Sequence, residues 1–292
     1  DRSIAKNVDW QAIKNLEILR SSTSLKQDGS LVSVLDATIT PMGARLVKNW
    51  IIKPLLEIKK IEDRQNKIKI FIENETARNE LSEILKSIAD LDRIAARIIS
   101  GSANPKELLA LKDSLIGATA IFEKLKEIGY CENPVVEPVK EVIEKIESHI
   151  EQEAPVMLKD GNVIKTGVSP ELDELRLLGK DAKKYISEIE TKERQATGIN
   201  NLKIGYTSVF GYYIDVTKSN ISSVPAHYIR KQTLTNSERY ITQELKILEE
   251  KIISAQDKTI KLETELYVCL RQELAEYSAV ILNISSMIAE LD

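Results

Sequence analysis

Between Thr242 and Asp292 the chain holds neither proline nor glycine, and its apolar residues recur at steps of three and four. Leu245, Leu248, Ile252, Ala255, Thr259, Leu262 and Leu266 form one seam. Leu270, Leu274, Tyr277, Ile281, Ile284, Ile288 and Leu291 resume it after one four-residue step. Side chains at this spacing share a stripe of an α-helix, and the extra step is a stutter in a heptad pattern. The pattern predicts one continuous helix of about 50 residues, about 75 Å long at 1.5 Å per residue. A second long helix precedes it. Ser169-Pro170 is a helix start, and Leu172, Leu175, Leu178, Tyr185 and Ile189 fall at helical spacing over 170–196, about 40 Å.

Residues 203–240 lie between these helices, and no other stretch fails to read as helix. Tyr212, Ile214 and Val216 alternate with Tyr213, Asp215 and Thr217, the period of a strand with one wet face. Gly205 and Gly211 bracket a short hairpin, Pro225 breaks the chain, and Tyr228–Leu234 reads as a further strand. Three or four short strands follow from this. The charge changes sign in the same place. Arg194–Tyr240 carries six basic residues (Arg194, Lys203, Lys218, Arg230, Lys231, Arg239) and two acidic ones (Asp215, Glu238), against a net charge of −4 for the whole chain. A basic island on an acidic chain points to a local polyanion contact. A solvated hairpin surface that happens to carry Lys and Arg is the alternative. The helix that follows is not such a surface: from Ile241 to Asp292 acidic residues outnumber basic ones by ten to five.

Ahead of Ser169 the punctuation is that of a bundle of short and medium helices. Thr40-Pro41 opens a helix to about Lys53, and Ile58–Glu73 is another. Thr76–Ile88 reads as a helix with a Thr cap. Asp90 caps a helix ending near Gly101. Asn104-Pro105 opens one that closes at Gly129, and 134–152 reads as one more. The expected fold is therefore mainly α: a helical bundle with two long antiparallel helices carrying a small antiparallel β-sheet at their tip. The expected division is 1–180 for the first part of the helical core, 181–241 for the inserted sheet and 242–292 for the return helix.

The search for chemistry finds no catalytic constellation. The two histidines, His149 and His227, are far apart, and no GxxxxGK[ST] phosphate loop occurs. Tyr212 and Tyr213 could stack on bases, with packing of the sheet expected for at least one. Cys131 and Cys269 sit in no metal-ligand spacing, which suits a reduced intracellular compartment. No apolar run approaches the roughly 18 residues of a membrane span, and no signal peptide opens the chain. The sequence starts without Met and stops inside an apolar-periodic pattern, so a longer parent is expected.

Four stretches together resemble the MutS family of DNA mismatch-repair proteins. VSVLDATITPMGARLVKNWIIKPL (32–55) and IADLDRIAARIISGSANPKELLALKDSL (88–115) look like its core motifs. LKIGYTSVFGYYIDVTKSN (202–220) and YIRKQTLTNSERYITQELK (228–246) look like its clamp hairpin and the return into its long lever helix. Gln243 stands where the family often has proline, which leaves the start of that helix less sharply defined. The presence of 202–246 argues against the branch of the family that lacks a clamp. The resemblance implies a lever-and-clamp portion that grips the duplex DNA backbone without reading sequence and couples that grip to an ATPase domain outside this chain. It implies no enzyme activity and no cofactor for the chain itself, with ATP and Mg in the parent's ATPase domain. It further implies a second MutS subunit, a MutL-like repair partner, a cytoplasmic, nucleoid-associated location and no membrane. The DNA-contact candidates are Lys203, Tyr206, Thr207, Ser208, Arg230, Lys231, Gln232, Thr233, Asn236 and Arg239. Adjacent strand residues point to opposite faces, so Arg230 and Lys231 share the DNA face only if the strand is bulged. A coiled-coil scaffold with a protein-docking tip is the alternative function. A stand-alone enzyme is disfavoured because no site is visible.

Overall fold

The structure, a computed structural model, describes residues 8–130, 137–207 and 209–292. Cys131, the expected helix start at Pro134 and the candidate Ser208 lie outside the described residues. The chain divides into two compact units, one from residues 1–157 with 267–292 and one from residues 158–266. Among the described residues no single helix is long and apolar enough to cross a membrane.

The first unit is helical: α1 (Trp10–Asn15), α2 (Leu31–Leu35), α3 (Pro41–Ile52), α4 (Ile58–Glu73), α5 (Glu75–Leu85), α6 (Leu91–Ile99), α7 (Pro105–Glu127) and α8 (Glu137–His149). The last turns of α10 (Gln243–Ala275) and all of α11 (Ser278–Leu291) complete it. Local caps set the starts. Thr40 Oγ1 accepts from the Gly43 amide at 3.0 Å, and Asp90 Oδ1 from the Arg93 amide at 3.2 Å. Asn104 and Glu107 form a reciprocal capping box at 3.1 and 3.0 Å. Leu91, Leu108, Leu111, Ile121, Ile146, Ile281, Ile284 and Ile288 have no exposed surface. Each such side chain contributes about 1.5–3 kcal/mol relative to exposure. α11 packs on α3 and α6, and α7 on α5 and α8. The Asp292 carboxylate accepts from the amides of Ile39 and Thr40 at 2.8 and 2.7 Å. Gly43 leaves room for it, because a Cβ there would meet the same carboxylate.

Two expectations need correction. Thr76 does not cap α5. The helix starts one residue earlier, at Glu75 after Asn74, whose side chain instead donates back to Ile70 O at 2.8 Å and closes α4. The long C-terminal helix is also not continuous: α10 and α11 meet at 62° across Glu276-Tyr277. The Glu276 and Tyr277 amides bond three residues back, to Glu273 O and Leu274 O, tightening the last turn of α10. Leu274 and Ile281 are fully buried on either side of the break, and Tyr277 Oη donates to Glu141 at 2.8 Å. Packing on α8 and α3 therefore bends a segment that has no helix breaker in its sequence.

The second unit contains α9 (Pro170–Thr197), β1 (Lys203–Thr207), β2 (Gly211–Thr217), a 3₁₀ segment (Lys218–Ser223), β3 (Ile229–Thr233), β4 (Ser237–Ile241) and the first part of α10. Ser169 Oγ caps α9 at the Leu172 amide, 3.3 Å, and Gly198 closes it at φ +69°. Thr242 Oγ1 accepts from the Leu245 amide at 3.2 Å, so the start of α10 is well defined without a proline at 243. α9 and α10 are antiparallel: Arg176 meets Glu263 towards one end, and Lys192 meets Glu244 at the other. Glu263, 1% exposed, accepts from Arg176 Nη2 at 2.5 Å and from the Val163 amide at 3.1 Å. Arg176 also donates to Ile164 O at 2.6 Å, so one buried ion pair fastens the 158–167 loop to both helices. The four strands form one antiparallel sheet in the order β1-β2-β4-β3.

Candidate nucleic-acid interface

The sheet stands on the ends of α9 and α10 through one apolar face. Ile214 and Val216 of β2 and Tyr240 of β4 pack with Ile199, Leu202, Tyr228 and Leu245. Two tyrosine–carboxylate bonds lie in this core: Tyr228 Oη donates to Glu193 at 2.6 Å and Tyr240 Oη to Glu238 at 2.5 Å. Burial first, and the adjacent carboxylate second, push both phenols above their usual range, Tyr240 to about 12. Glu190 accepts from the Ile204 amide at 2.7 Å and pairs with Arg194 at 2.6 Å, while Arg194 Nε donates to Leu202 O at 2.6 Å. Of the six basic residues in this region, Arg194 is therefore engaged in holding β1 to α9.

The opposite face carries a row across all four strands. Lys203 stands opposite Asp215, Asp215 opposite Arg239, and Arg239 opposite Gln232. The Arg239 guanidinium carbon lies 4.2 Å from the centroid of the Tyr213 ring, and its Nη1 donates to Gln232 Oε1 at 2.8 Å. Arg239 Nε and Asp215 Oδ1 are buried without a protein hydrogen-bond partner. Tyr213 thus packs against the sheet's own arginine, and Tyr212 lies against Tyr206, ring centroids 4.9 Å apart. Two glycines allow this arrangement. A Cβ on Gly205 would meet the Tyr213 ring, and one on Gly211, at φ +71° in the hairpin turn, would meet the Glu249 carboxylate.

β3 is bulged. Arg230 pairs with Tyr240 and Gln232 with Arg239, leaving Lys231 as the extra residue. The strand is therefore bulged between Arg230 and Gln232, and the register puts Arg230 on the core side of the sheet. The candidates do not all share one face. By register Lys203, Thr207, Gln232 and Arg239 lie on the outer face, while Tyr206, Arg230 and Thr233 lie on the core side of the sheet, where it extends past the packed residues. Asn236 sits in the β3–β4 turn, its carbonyl accepting from the Lys218 amide at 3.1 Å. Thr207 Oγ1 accepts from the Phe210 amide at 3.3 Å. Arg230 lies 3.6 Å from Glu238. Lys203, Lys218 and Lys231 are exposed, and among the described residues their side chains make no hydrogen bond or ion pair. Lys218 was counted in the basic island but not among the contact candidates. Its availability depends on which cations find carboxylates, and a charge count does not show that.

The MutS domain III profile matches residues 11–292. The chain belongs to the MutS domain III family. It is 44% identical over 289 residues to the DNA mismatch repair protein MutS of Thermodesulfovibrio yellowstonii, covering 98% of this chain and 34% of the relative. The protein of the same name from Symbiobacterium thermophilum is 42% identical over 284 residues, 96% of this chain and 32% of the relative. That from Caldanaerobacter subterraneus is 43% identical over 293 residues, 98% and 33%. The chain thus spans about a third of the length of these MutS relatives. Among the described residues no group of three or more His, Cys, Asp or Glu side chains is placed to hold a metal ion.

Proposed function

We propose that this chain is the lever and clamp portion of a MutS-like mismatch-repair protein, and that its four-stranded sheet grips the duplex DNA backbone without reading sequence. One observation carries the reading. Three exposed lysines that make no hydrogen bond or ion pair among the described residues lie in one small region of an otherwise acidic chain: Lys203 and Lys231 on the sheet, and Lys218 in the 3₁₀ segment that follows β2. Lysine binds phosphate as a point charge, and such contacts position a protein on a duplex without carrying sequence information. The antiparallel α9 and α10 suit the role of a lever. On this reading the ATPase chemistry, with ATP and Mg, belongs to a part of the MutS-like protein outside this chain, and the chain itself is not an enzyme. A second MutS-like subunit, a MutL-like partner and a location at the nucleoid in the cytoplasm belong to the same proposal.

The test is fluorescence anisotropy of a labelled duplex across a salt series, comparing the chain with its Lys203→Ala/Lys218→Ala/Lys231→Ala variant. The expected result is binding that weakens with salt, and a variant with most of that salt dependence gone. Binding by the triple variant equal to the parent chain's at every salt concentration would refute the grip and favour a protein-docking sheet.

A further inference from the structure

We infer that Arg239 is a positioning residue rather than a phosphate contact, and that the cation it positions is Lys231 in the β3 bulge. The inference rests on the backbone-gripping reading above and assigns roles within it. The observations run across the sheet as a chain of contacts. Gly205 leaves the space that the Tyr213 ring occupies. The ring carries the Arg239 guanidinium 4.2 Å from its centroid, a cation–π contact. Arg239 then donates to Gln232 at 2.8 Å, and its Nε is buried. Its half-buried guanidinium is held against the sheet by Tyr213 and Gln232.

Gln232 is the first residue beyond the bulge, where pairing with β4 resumes opposite Arg239. A bulge re-aims a side chain, and that aim is fixed only if the residues flanking the bulge are fixed. On one side Arg230 pairs with Tyr240 and lies near Glu238. On the other side Arg239, resting on Tyr213, holds Gln232. Between them the exposed Lys231 side chain makes no hydrogen bond or ion pair among the described residues. A lysine suits this place, being a compact charge with three donors on a flexible stem. Arginine suits the stacked and forked place at 239.

The experiment measures the slope of log K against log salt for a duplex bound by the chain and its variants, with circular dichroism melts to check that each folds. Arg239→Lys keeps the charge but loses the planar stack and the fork. Gln232→Ala removes the pin without changing charge. The expected result is that Lys231→Ala, Arg239→Lys and Gln232→Ala each lose about 0.9 of the slope, one phosphate's worth. Lys231→Ala combined with Arg239→Lys still loses only about 0.9, and Lys231→Arg keeps the full slope. If Arg239→Lys and Gln232→Ala keep the parent slope, or if the double variant loses about 1.8, Arg239 is not positioning Lys231 and the inference fails while the grip stands. If Arg239→Lys abolishes the whole slope, it supports the sheet at large, and the inference again fails. If the parent chain shows no salt-dependent binding, the grip itself is refuted and the inference falls with it.

Discussion

The Arg176–Glu263 pair gives an asymmetric prediction. Removing one member of a buried ion pair costs about 3–5 kcal/mol, because the other is left uncompensated. The two survivors here are not equally exposed or equally served. In Arg176→Ala the Glu263 carboxylate, 1% exposed, keeps only the Val163 amide at 3.1 Å. In Glu263→Ala the Arg176 side chain, 21% exposed, keeps the Ile164 carbonyl at 2.6 Å and has Asp173 at 3.8 Å. Arg176→Ala should therefore fall at the upper end, about 5 kcal/mol, and Glu263→Ala at the lower, about 3 kcal/mol. Replacing both, Arg176→Met with Glu263→Leu, should cost less than either single change. Urea unfolding followed by far-UV circular dichroism gives the totals. Hydrogen exchange at the Val163 amide gives the local effect. With its acceptor removed by Glu263→Ala, that amide should exchange about a hundredfold faster, the equivalent of roughly 3 kcal/mol at 1.4 kcal/mol per decade. Glu263→Ala costing as much as or more than Arg176→Ala, or an unchanged Val163 exchange rate, would refute the placement of this carboxylate.

Gly211→Ala should destabilise the hairpin by about 1–3 kcal/mol, since it combines a left-handed backbone with a Cβ in the space of the Glu249 carboxylate; no change in the thermal midpoint would contradict the turn. Alkaline pH should loosen the sheet. Tyr228 and Tyr240 both titrate above the ordinary tyrosine value in the folded chain, Tyr240 at about 12. Their contribution is complete below pH ~10 and is lost as pH rises from there toward the folded values, because the unfolded chain ionises first. Thermal midpoints from pH 9 to 12 should fall, and fall less steeply in Tyr228→Phe/Tyr240→Phe; equal slopes in both would contradict this.

What the sequence made legible is what is decided within a few residues. Thr40-Pro41, Asn104-Pro105 and Ser169-Pro170 each open a helix where they stand, because the capping oxygen and the proline act on the next turn alone. The strand alternation of Tyr212–Thr217 was legible for the same reason. The break at Glu276-Tyr277 was not. A three-four spacing counts residues and survives a bend, and the cause lies in helices distant in sequence. At Thr76 the cap reading failed because α5 starts at Glu75, after Asn74, whose side chain is bonded back to Ile70 O rather than capping the helix. In the sheet, the basic island was visible but the division of labour within it was not. Whether an arginine is spent on Tyr213 and Gln232, or a lysine is left unpaired in a bulge, depends on strand register, which composition does not encode.

The central claim is that the sheet holds DNA through phosphates alone. The salt dependence of duplex binding tests it most directly. Three lysines unpaired among the described residues, each neutralising one phosphate at about 0.9 per contact, predict a slope of log K against log salt near −2.7. The slope and affinity should be the same for two duplexes of unrelated sequence. A slope near zero, or an affinity that changes with base sequence at constant slope, would contradict the account.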